Sequence, residues 1–104
     1  MSELARVPVE SVPEGKAIRV AGGPDGICLV RVGDSFHAVA DRCSHADVRL
    51  SEGEVDDYDC TIECWKHGST FSLLDGHPQS LPATVAVSVY QVQVEGDEVV
   101  VSEK

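Results

Sequence analysis

Two short clusters of this sequence place a thiol beside an imidazole: Cys43-Ser44-His45 and, after eighteen intervening residues, Cys64-Trp65-Lys66-His67. When the backbone is a loop, a thiolate and an imidazole two or three residues apart can turn toward one point, so each cluster is a bidentate unit. Two units make a four-ligand metal site. A zinc ion accepts a Cys2His2 set, but zinc modules usually pair cysteine with cysteine and histidine with histidine along the chain. Here each arm mixes the two types, and that order points away from a zinc module.

The elements that must position these clusters read as β-structure. At 104 residues the chain fits one domain, 1–104, large enough to bury a core without disulfides. Its apolar residues lean on valine, which suits strands. Leu4 to Val9 makes an edge strand limited by Pro8, and residues 10–15 make a turn. Lys16 to Ala21 alternates, with Ile18 and Val20 on one face. Ile27 to Val32 and Ser35 to Ala40 flank Gly33-Asp34 as a hairpin. Val48 to Glu54 is polar, and Val55 to Asp59 is an acidic solvated turn. Cys60 to Glu63 is a short strand delivering Cys64, and Thr70 to Leu74 a strand that turns at Asp75-Gly76 into a loop holding His77, Pro78 and Pro82. The run Val85 to Val94 changes the parity of its apolar residues, which predicts a bulge or sharp twist near Val89-Tyr90. Gly96-Asp97 turns the chain into a closing strand, Glu98 to Ser102. The expected architecture is all-β, an antiparallel sandwich or small barrel carrying its site on loops.

Eighteen acidic against eight basic side chains give a formal charge of -10. Nucleic acid and anionic membranes would repel such a surface, while basic protein partners would be attracted. No segment has signal-peptide character or membrane-spanning length, so a soluble cytoplasmic protein is expected. In the reducing cytosol four cysteines remain thiols or bind metal. Cys28 and Cys60 are read as small buried hydrophobes, His37 and His77 as structural histidines, and Trp65 as a packing residue.

The two clusters, with Gly68-Ser69-Thr70-Phe71 and the proline-containing loop behind them, resemble the Rieske 2Fe-2S motif, and the strand pattern resembles a stand-alone Rieske ferredoxin along nearly the whole chain. The cluster-binding region spans about 41–82. The resemblance implies one 2Fe-2S cluster per chain, with Cys43 and Cys64 on one iron, His45 and His67 on the other, and Ser69 as a further cofactor-contacting residue. Two ferric ions, two sulfides, two thiolates and two neutral imidazoles sum to zero charge, so an added electron is accepted more readily than by a four-thiolate cluster. Rieske potentials of about -150 to +300 mV, against roughly -400 mV for plant-type centres, follow that order. The imidazoles also titrate more readily beside ferric iron, so the potential is expected to fall with rising pH.

High-potential members of the family carry an extra cysteine in each cluster, forming a disulfide; the matching positions here are Val48 and Lys66. Their tyrosine, whose hydroxyl donates to a ligand sulfur, is replaced by Phe71, while their serine is retained as Ser69. A hydrogen bond to sulfur favours the reduced, more negative state, so its loss implies a potential low in the Rieske range. With all four ligands committed to the cluster there is no catalytic residue to assign. The resemblance implies an electron carrier between a flavin-dependent reductase and a terminal oxygenase. The competing readings are a small Rieske subunit of an NADH-dependent nitrite reductase and a non-redox zinc module.

Overall fold

The computed structural model describes residues 3–44, 48–66, 68–79 and 83–103. Its strands are β1 (Glu3–Pro8), β2 (Ala17–Val20), β3 (Ile27–Val32), β4 (Ser35–Ala40), β5 (Val55–Asp56), β6 (Thr61–Glu63), β7 (Thr70–Ser72), β8 (Val89–Glu95) and β9 (Glu98–Ser102). Single 3-10 turns occupy Val9–Ser11 and Leu50–Glu52. All pairings are antiparallel. A six-stranded sheet runs in the order β1-β9-β8-β4-β3-β2, and a three-stranded sheet in the order β5-β6-β7. The expected all-β fold stands.

Alternation along the central strands sends side chains into two separate cores. Ile27 and Leu29 of β3 join Val12, Ala38, Val99 and Val101 in one of them. Cys28 and Val30, the intervening residues, join Val39, Leu50, Ile62, Phe71 and Leu73 in the other, which also contains Cys43 and Cys64. The six-stranded sheet is thus apolar on both faces at β3, and its second face supports the loops and the small sheet.

The parity change in β8 has a direct structural meaning. Val89 and Tyr90 pair with Val39 and Ala38 of β4, whereas Gln91 to Glu95 pair with β9. Val87 and Val89 pack with the core that holds Cys43 and Cys64, while Tyr90 and Val92 pack with the other. The strand changes partner and core at the step where its alternation breaks.

Two segments differ from expectation. Val85 to Ser88 is not strand: Val85 is 62% exposed, and only at Val89 does pairing begin. Conversely, Val55 and Asp56, expected in a turn, pair with Ile62 and Thr61. Register against β6 makes that two-residue strand, not its own propensity. The turn that follows is closed locally, with Asp56 Oδ1 accepting the backbone N–H groups of Tyr58 (3.0 Å) and Asp59 (3.1 Å).

Candidate metal centre

The first cluster begins three residues beyond β4 and is held at several points. The Ala40 N–H donates to the Ser88 carbonyl at 2.9 Å, and the Asp41 N–H to the Gly26 carbonyl at 3.1 Å. The Asp41 side chain is buried, and its carboxylate is fully engaged. Oδ1 accepts the Ser51 N–H at 2.7 Å; Oδ2 accepts the Ser51 hydroxyl at 2.8 Å and Arg19 Nη1 at 2.8 Å. Gly26 makes room for this arrangement: its φ is +81°, and a Cβ there would lie 2.7 Å from the Arg19 guanidinium. Beyond Asp41, the Cys43 N–H donates to the Val48 carbonyl at 3.0 Å. The Ser44 hydroxyl donates a short hydrogen bond to the Val85 carbonyl, tying the first loop to the third.

The second cluster is delivered by β6. The Glu63 N–H donates to the Glu54 carbonyl at 2.9 Å, which fastens β6 to the segment before β5. Gly53, at the end of the Leu50–Glu52 turn, lies so close to the Glu63 carbonyl that any side chain would collide with it. Cys64 then starts a closed turn, its N–H donating to the Ser69 carbonyl at 2.6 Å and its carbonyl accepting the Gly68 N–H at 2.9 Å. Ser69 is fully buried, and its hydroxyl accepts the Ala83 N–H at 3.1 Å, linking the second and third loops. The Gln79 N–H to Thr70 carbonyl bond, at 2.6 Å, and the Phe71–Pro78 bridge fix the start of the third loop on β7.

These bonds bring together three of the five residues expected at the site. Cys43 is 2% exposed, Cys64 and Ser69 are fully buried, and both cysteines, neither of them in a disulfide, lie in one apolar cluster with Phe71, Leu73, Ala83 and Val87. Two sheltered cysteines without a disulfide suit an iron–sulfur cluster, which is held by thiolates and whose potential depends on solvent exposure. His45 and His67 lie outside the described residues. Phe71 is fully buried in the same cluster and carries no hydroxyl.

The remaining expectations divide. Cys28 is buried, and burial, reinforced by the negative charge of Asp41, pushes its thiol far above the usual range, so it stays protonated. Trp65 is 53% exposed, so it is a surface residue and not the packing residue expected. Cys60, expected to be buried, is only partly so, and it lies 3.6 Å from His37. The Asp41–Ser51–Arg19 network had no sequence signal, since it joins residues from three separate segments.

A family model, the Rieske 2Fe-2S domain, matches residues 3–91. This chain belongs to the Rieske 2Fe-2S family. As a Rieske protein it carries one 2Fe-2S cluster and transfers electrons. It is 43% identical over 99 residues to the 3-phenylpropionate/cinnamic acid dioxygenase ferredoxin subunit of Shigella flexneri serotype 5b, covering 95% of this chain and 92% of that one. Among solved structures, the ferredoxin of carbazole 1,9a-dioxygenase from Nocardioides aromaticivorans superposes with a TM-score of 0.93 at 30% identity, covering both chains completely. A ferredoxin solved in complex with the reduced oxygenase of carbazole 1,9a-dioxygenase matches with a TM-score of 0.86 at 38% identity, over 94% of this chain and 100% of that one. The likeness thus extends over whole ferredoxins. Among the described residues, no helix is long and apolar enough to cross a membrane.

Proposed function

We propose that the whole chain works as one Rieske domain in which Cys43 and Cys64 bind one iron of the cluster, His45 and His67 bind the other, and Ser69 supports the thiolate side. The observation that carries this reading is the burial of two cysteines, neither in a disulfide, in one apolar cluster, each at a hydrogen-bonded loop that leads to a histidine two or three residues on. When bound, the cluster supplies a one-electron couple with every iron position filled. Phe71, Leu73, Ala83 and Val87 exclude water from the cysteines. Asp41 and Ser44, on either side of Cys43, hold its loop against the Leu50–Glu52 turn and the third loop.

The named relatives, ferredoxins of dioxygenase systems, support a reading of the partners. We infer that this ferredoxin works in the cytoplasm, accepting electrons from a flavin-dependent reductase and passing them to the terminal oxygenase of a dioxygenase system. The charge of -10 suits transient docking on basic surfaces, so exchange should slow as salt rises. Reconstitution with the reductase and oxygenase of a phenylpropionate-type system tests the assignment. Stopped-flow absorption should show the ferredoxin reduced by one component, reoxidised by the other and required for turnover. A protein that dithionite reduces but that exchanges no electron with either component contradicts the assignment.

A further inference from the structure

We propose that Cys60 and His37 form a second metal site, separate from the iron–sulfur centre, that binds a zinc-class divalent cation. Cys60 Sγ lies 3.6 Å from His37 Nε2. A zinc ion bonded to sulfur at about 2.3 Å and to imidazole nitrogen at about 2.0–2.1 Å, with a tetrahedral angle between them, separates its donors by about 3.5–3.6 Å. The pair already has the spacing that one ion would bridge.

The backbones that carry the two donors are fixed. His37 sits within β4, paired with Val30 of β3. Cys60 immediately precedes β6, and its carbonyl accepts the Leu73 N–H at 2.9 Å. Cys60 is also the one non-glycine among the described residues with a positive φ, +57°. That conformation costs an L-residue roughly 1–2 kcal/mol, which a glycine would avoid. A strained cysteine held against an imidazole is the kind of outlier that a site explains.

Electrostatics agree. Burial raises the Cys60 thiol and lowers the His37 imidazole, so without metal both are neutral and the imidazole nitrogen retains its lone pair. A divalent cation displaces the thiol proton outright. Among the described residues no third histidine, cysteine or carboxylate completes a set, so water fills the remaining positions and the affinity falls below that of a four-ligand structural zinc site. A bound ion would link β4 of the large sheet to the turn that feeds β6 and Cys64.

Zinc titration of the oxidised holoprotein by calorimetry, with the visible cluster spectrum followed in parallel, tests the site. The expected result is one zinc per chain with the cluster spectrum unchanged. Cadmium-113 NMR of the cadmium-loaded holoprotein should show a resonance shifted as for a single thiolate ligand. Cys60→Gly, which relieves the positive φ and so preserves folding, should abolish both signals, and His37→Gln should weaken zinc binding about tenfold or more. The proposal is overturned if the parent binds no zinc, if Cys60→Gly binds it as well as the parent does, or if zinc uptake bleaches the cluster in proportion.

Discussion

The fastening of the first ligand loop depends on Asp41, and its replacement gives a worked test. In Asp41→Asn the side chain keeps its size but loses its charge, and one oxygen becomes a donor facing another donor, the Ser51 N–H or the Arg19 guanidinium. The charge-assisted bond to Arg19 is worth about 1.5–3 kcal/mol. The Arg19 side chain is 39% exposed and can rehydrate, so the loss belongs near the lower end, about 2 kcal/mol. Arg19→Met is the harsher change: it strands a carboxylate whose side chain is fully buried, and removing one partner of such a pair costs about 3–5 kcal/mol. The two bonds from Ser51 keep the cost near 3 kcal/mol. For a chain of this size each kcal/mol moves Tm by about 4–8 °C. Asp41→Asn should therefore melt about 8–16 °C below the parent, and Arg19→Met lower still. Thermal unfolding of the oxidised holoprotein, followed by visible and far-ultraviolet circular dichroism, measures both. The double variant should fall well short of the sum of the two. Additive losses, or an Asp41→Asn loss below about 0.5 kcal/mol, would refute the argument that this pair holds the loop.

Other outcomes follow from single residues. Phe71→Tyr places a hydroxyl in the cluster of Cys43 and Cys64, and a bond about 1 kcal/mol stronger in the reduced state raises the midpoint by about 40 mV; film voltammetry showing an unchanged or lower midpoint counts against it. Gly53→Ala drives a Cβ into the Glu63 carbonyl, a backbone atom that cannot swing aside, and should cost about 1–3 kcal/mol with earlier loss of the cluster on heating. His37 is held below its ordinary value of 6.5 by burial, so the folded state binds fewer protons than the unfolded. Its contribution is fully present above about pH 6.5 and is lost as pH falls below that toward the folded value; denaturant titrations across this range should show a shallower acid decline for His37→Gln.

Much of the frame was legible because short-range chemistry sets it. Gly33-Asp34 and Gly96-Asp97 between alternating runs gave hairpins whose strands match the structure residue for residue at β3, β4 and β9, with φ of +59° and +64° at the two glycines. The parity break at Val89-Tyr90 was visible, but its meaning, a change of partner and of core, needs the positions of β4 and β9. Val85 to Ser88 misled because valine alternation suits a strand or an extended loop equally. The β5 pairing and the Asp41 network are long-range, so no local pattern announces them. At the site, the ligand candidates were legible from their types and spacing, whereas the exposure of Trp65 and the meeting of Cys60 with His37 come from tertiary packing alone.

The central claim is that Cys43, Cys64, His45 and His67 hold a mixed-ligand 2Fe-2S cluster. It is tested most directly by electron paramagnetic resonance of the anaerobically reduced protein, with iron and acid-labile sulfide measured on the same sample. The expected result is equal iron and sulfide, and a reduced-state signal with a mean g value below that of an all-cysteine cluster. A signal at the all-cysteine value, or one zinc per chain with no sulfide and no signal, would contradict it.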